Sequence, residues 1–191
     1  MIDDKSFKNL LKEIKKEFPL TKAAKPDLRY FGILRAAKFF RISYAWHLSD
    51  NPNILIVSIF NSYGFHTAGS TGGRYNEEPY KTIVALVKYD YAIKDSYIRL
   101  KDLEDKIYNL FFRNPQKIPD NKDFNKMYVI HSNEQLKFIN WLIKNDLPTK
   151  ALGMEGLEVE FHEDTVLLRL QKPVTEKIQL KSLMTLAMGI K

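Results

Sequence analysis

Apolar residues recur along this chain with two different periods, and the periods divide it into elements. Phe7, Leu10, Leu11, Ile14 and Phe18 stand at helical spacing, which predicts an amphipathic N-terminal helix over 3–18 with one apolar stripe. Asp3 and Asp4 open it, where acidic groups suit the positive end of the helix dipole. Lys12, Lys15 and Lys16 lie toward its other end, and Pro19 stops it. Beyond a connector over 21–27, the period changes. Phe40, Ile42, Tyr44, Trp46 and Leu48 alternate with Arg41, Ser43, Ala45 and His47, the signature of a half-buried strand. Residues 29–36 read as a further strand or as helix. Asp50-Asn51-Pro52-Asn53 is a turn cluster, and the β-branched run Ile54 to Phe60 predicts a central strand.

Residues 62–79 contain Gly64, Gly69, Gly72 and Gly73 and read as a long exposed loop between two paired strands. Strand character resumes over 81–89. Leu103, Ile107, Leu110 and Phe111 predict a helix over 100–111. The polar stretch 114–123, with Pro115 and Pro119, is a candidate boundary between lobes. A short strand over 126–131 leads into Ser132-Asn133-Glu134-Gln135, which fits a capping box with Ser132 bonding the amide of Gln135. The helix it opens runs to about 144 and is expected to bury Leu136, Ile139, Leu142 and Ile143. Leu157, Val159 and Phe161, then Val166, Leu168 and Leu170, predict a hairpin with one wet face around a Glu163-Asp164 turn. A last helix starts at Thr175 and carries Ile178, Leu183, Leu186, Ala187 and Ile190.

Helix, several strands, helix, strand, helix, hairpin, helix: this order predicts an α+β fold with antiparallel sheet flanked by helices. One domain over 1–191 is expected, divisible into lobes at 1–113 and 124–191. Hydrophobic residues make up 45% and aromatics 13% of the chain, enough for a well-filled core. The absence of cysteine excludes disulfides, thiolate metal sites and a thiol nucleophile. Neither a signal-peptide core nor an apolar run of about twenty residues is present, so a soluble cytoplasmic protein is expected.

The net charge of +7 changes the picture more, because it favours an anionic partner. Lys22, Lys25, Arg29, Arg35, Lys38 and Arg41 set six cations against the single carboxylate of Asp27. On one face they would contact phosphates, with Tyr30 or Tyr44 available to stack on bases. A second candidate is the loop Gly69-Ser70-Thr71-Gly72-Gly73-Arg74, whose backbone could approach an anion. It lacks the lysine-and-hydroxyl ending of a P-loop and a helix N-terminus behind it.

His47, His66, His131 and His162 show no metal-ligand spacing, and no cofactor motif is present. Glu158, Glu160, Glu163 and Asp164 read as a solvated acidic face, since a wet surface leaves carboxylates ionised. The expectation is therefore a non-enzymatic interaction module, binding a protein or a second copy of itself through the N-terminal helix. The alternatives are nucleic-acid binding at 22–41, and an enzyme or anion binder using 69–74.

The stretch 123–135, followed by helix, hairpin and closing helix, resembles the C-terminal part of certain bacterial and archaeal proteins, many of them membrane-anchored. The family has no assigned activity, so the resemblance implies no functional residues. The present chain departs from it in lacking transmembrane helices.

Overall fold

The computed structural model describes residues 4–35, 39–67, 74–101, 116–154, 156–171, 174 and 176–190, with backbone alone for 4–6, 35, 39–40, 61–67 and 74–80. The fold is α+β. Eight strands form one antiparallel sheet in the order β1-β2-β3-β4-β8-β7-β5-β6. They span Leu20–Lys22 (β1), Phe39–Leu48 (β2), Asn51–Thr67 (β3), Arg74–Lys88 (β4), Ser96–Leu100 (β5), Tyr128–His131 (β6), Leu157–His162 (β7) and Thr165–Leu170 (β8). Six helices occur among the described residues: Asp4–Glu17 (α1), Gly32–Arg35 (α2), Lys122–Met127 (α3), Gln135–Lys144 (α4), Leu147–Gly153 (α5) and Lys177–Met188 (α6). The β7–β8 hairpin sits between β4 and β5, so strands made last lie in the interior of the sheet. No helix among the described residues is long and apolar enough to cross a membrane.

Around 54–59, 83–87 and 166–168 both faces of the sheet are covered, which explains why β3 and β4 are apolar at consecutive positions there. One face carries Ile54, Ile56, Ile83, Ala85, Val159, Phe161 and Leu168 against the helices, including the Phe7, Leu10, Leu11, Ile14 and Phe18 stripe of α1. The other carries Ala45, Val57, Ile59, Val84, Leu86 and Leu167 against Leu28, Phe31, Ile33 and Leu34, a strap that contains α2. This strap is tied down at the α2 N-terminus. Glu160 Oε1 and Oε2 accept the amides of Gly32 and Ile33 at 2.7 and 2.8 Å, which are among the donors a helix start leaves without partners.

Several expectations need correction. The 62–79 segment is mostly strand: the β3–β4 ladder continues from Ile54↔Val87 to Thr67↔Arg74. Glycine in a strand weakens it without forbidding it. The 50–53 turn lies earlier, since Leu48 pairs with Asn51. Ser132 Oγ accepts from the Glu134 amide at 2.9 Å and meets Ser96 Oγ at 2.6 Å. It therefore makes a short side-chain turn and not the capping box with Gln135. On α4 the buried set is Phe138, Ile139, Trp141 and Leu142, while Leu136 and Ile143 are exposed. Ile178 on α6 is exposed too.

The β7–β8 hairpin has no wet face. Glu158 and Arg169 are cross-strand neighbours, buried, and joined at 2.5 Å. Burial pushes the Glu158 carboxyl up, and the guanidinium of Arg169 pulls it the other way. Each charge is tolerable there only because the other is present.

Candidate nucleic-acid interface

Helical geometry advances about 100° per residue, so α1 has two distinct flanks beside its apolar stripe. Lys8, Lys12 and Lys15, at i, i+4 and i+7, share one flank; Glu13 and Glu17 share the other. The glutamate flank faces α6. Lys177 Nζ lies 2.5 Å from Glu17 and 4.0 Å from Glu13, and Lys181 Nζ lies 3.1 Å from Glu17. The two lysines hold the Glu17 carboxyl below its ordinary value, and Glu17 raises Lys177 in return.

The lysine flank faces the β1–β2 edge across a groove of about 1110 Å³. Lys8, Lys12 and Lys15 form one wall, Lys22 and Lys25 the other, and Ser43 to Trp46 the floor. Among the described residues, five lysines and no carboxylate line it. Lys12, Lys22 and Lys25 form no ion pair among the described residues. Like charges gathered in a concavity reinforce one another's potential, so the groove attracts anions more strongly than the same lysines would when dispersed.

Its floor holds an aromatic pair. The Tyr44 ring stacks on Trp46 with centroids 5.7 Å apart and planes 21° apart. Lys15 Nζ stands 5.0 Å from the Trp46 centroid, within cation–π range. Trp46 is 6% exposed and Tyr44 52%. A register shift between Ile42 and Tyr44 lies just before this pair. Ile42 packs with the strap side of the sheet and Trp46 with the helix side. The simple alternation of Phe40 through Leu48 is thereby broken at Ser43. Tyr44, part of the apolar alternation and also the candidate for base stacking, lines the groove half exposed.

The sequence-derived basic segment is divided by the fold. Lys22 and Lys25 line the groove. Arg29 does not; it is clamped on Asp27, with Nη2 2.6 Å from Oδ2 and Nε 3.0 Å from Oδ1. That contact draws the Asp27 carboxyl down to about 2. Arg41 lies over the ring of its cross-strand partner Phe60 at 5.2 Å. Arg35 ends α2 with only its backbone described, and Lys38 falls outside the described residues. Tyr30 stacks on His162 at 5.0 Å, away from the groove. Of the second candidate, Gly69, Ser70, Thr71, Gly72 and Gly73 fall outside the described residues, and Arg74 begins β4 opposite Thr67.

Lys8, Lys12, Lys15 and Trp46 were not among the sequence-derived site residues. The signal that finds them is present in the sequence: lysines at i, i+4 and i+7 on one side of an apolar stripe, glutamates at i and i+4 on the other. Scans against protein-family models, curated proteins and solved structures find no match to this chain.

Proposed function

We propose that the chain binds nucleic acid in the groove between α1 and the β1–β2 edge. One observation carries this reading: five lysines from α1 and the 22–25 segment line one groove with an exposed aromatic ring, and no carboxylate lies among them within the described residues. Phosphates supply the complementary charge, and counterion release supplies much of the affinity.

An interaction module docking through the α1 apolar stripe draws less support, because that stripe is buried in the chain's own core. A protein meeting α1 from outside would have to be acidic and would compete for the same lysines.

The test is titration of labelled oligonucleotides across a range of salt. Five phosphate contacts predict a slope of log K against log salt of about −3.5 for a single strand. Lys12→Glu, Lys22→Glu and Lys25→Glu together are expected to lower affinity by about a hundredfold or more at low salt, and to flatten the slope by about two. Lys117→Glu, Lys126→Glu and Lys144→Glu together, exposed and outside the groove, are the charge-matched control and should change both far less. Absence of oligonucleotide binding at low salt, or equal binding by the triple variant, refutes the proposal.

A further inference from the structure

The groove combines two kinds of surface that duplexes and bare polyanions do not both use. We infer that its ligand is a single strand, with a base stacked on the ring of Tyr44; this rests on the nucleic-acid reading of the groove. All five lysines are exposed. Three stand on a helix flank that looks across at the β1–β2 edge, with Tyr44 and Trp46 on the floor between. Stacking on an exposed aromatic ring requires an unpaired base, and a duplex keeps its bases stacked on one another. A flexible strand can enter the groove and lay phosphates along either wall.

The floor then has a use for the bases. Tyr44 leaves half its surface to solvent while Trp46 beneath it is buried. Trp46 is in turn held by Tyr44 and Lys15. The tyrosine is thus backed by a fixed aromatic and presents a π-face that ordinary burial would have hidden. Base–aromatic stacking of this kind is tolerant of sequence, because every base offers a π-face. The structure therefore assigns Tyr44 the recognition of an unstacked base and the lysines the recognition of the backbone. A polyphosphate or an acidic peptide would satisfy the lysines and leave Tyr44 unused.

Fluorescence anisotropy on the full chain separates these ligands. The probes are a labelled oligothymidylate of about twelve nucleotides, an abasic deoxyribose-phosphate strand of the same length, and a duplex of that length, all at about 50 mM salt. The oligothymidylate is expected to bind about tenfold or more tightly than either competitor. Tyr44→Ala should reduce its affinity to that of the abasic strand and leave the abasic strand's own affinity unchanged, while Tyr44→Phe keeps the preference. Thermal melts establish that each variant is folded. Equal binding of abasic strand and oligothymidylate, a preference for duplex, or an unaffected Tyr44→Ala variant overturns the stacking assignment. In those cases, loss of binding by the lysine-reversal variant leaves the groove reading standing. Failure of the native chain to bind any probe overturns both.

Discussion

The two flanks of α1 handle charge in opposite ways. Toward α6, Glu13 and Glu17 meet Lys177 and Lys181, so charge is neutralised where two helices approach. Toward the β1–β2 edge, three lysines of the same helix face two more, with no acidic residue among the described side chains that line the groove. The helix could have alternated its signs on both sides. Exposed ion pairs contribute little to stability, so the paired flank mainly avoids repulsion at a contact the fold requires. The other flank accepts repulsion across an open groove, which costs least when an anion occupies it. Counting charges along α1 would miss this difference, because the asymmetry lies around the helix and not along it.

Perturbing what the flanks share has the largest effect. Ile14 is 1% exposed on the ridge between them, and Ile14→Ala is expected to cost about 2–5 kcal/mol in denaturant unfolding. Because both flanks ride on that ridge, oligonucleotide binding should weaken as α1 loosens. Undiminished binding in a destabilised variant would show that the groove does not depend on how α1 is seated.

Reversing the paired flank should separate the two surfaces. Lys177→Glu with Lys181→Glu sets like charges against Glu13 and Glu17 and should lower Tm, more at low salt than at high. Oligonucleotide affinity should stay within about twofold, since neither lysine lines the groove. Glu17→Gln gives the same comparison as a function of pH. Its carboxyl is held down in the folded state by Lys177 and Lys181, so its contribution is present above the unfolded glutamate value of about 4.3 and is lost as pH falls through the lower folded value. The Tm difference between native chain and Glu17→Gln, present at pH 7, should close in acid. A difference that persists there would mean that Glu17 acts through packing.

The smallest effect concerns Arg29. It belongs to the basic segment by sequence but is engaged with Asp27. Arg29→Ala should leave affinity within about twofold. The Asp27 carboxyl, at about 2 beside Arg29, should return toward about 3.9 in an NMR titration. A large loss of binding would extend the interface beyond the groove.

Much of the fold was legible because periodicity records burial. The α1 stripe and the strands around Trp46, Ile56, Val84, Val159 and Leu168 follow from it directly. What escaped are places where a third element changed the outcome. Glu158 and Arg169 looked solvent-facing because alternation assigns polar residues to water; it cannot show that the face is covered and the two charges satisfy each other. Leu136 and Ile143 looked buried because helical spacing does not say which side of α4 meets the sheet. Alternation put Ile42 on the face of Tyr44 and Trp46, but an inserted residue at Ser43 shifts the register and moves Ile42 to the other face without leaving a sequence mark. The groove was half legible, as Lys22 and Lys25 stand in a visibly basic segment. Its other wall comes from a helix whose docking position depends on contacts far away in sequence.

The carboxylate of Glu160 has a consequence for the order in which the polypeptide matures. A helix of four residues has a single turn and cannot persist alone in water. Here its first amides are held by a side chain made 128 residues after Gly32. The neighbour of β4 also arrives late, on β8. A nascent chain halted before residue 157 therefore has its first four strands but neither the anchor for the strap nor the strand that covers their inner edge. Emergence of the last hairpin is the event that closes the sheet and fastens its far face together.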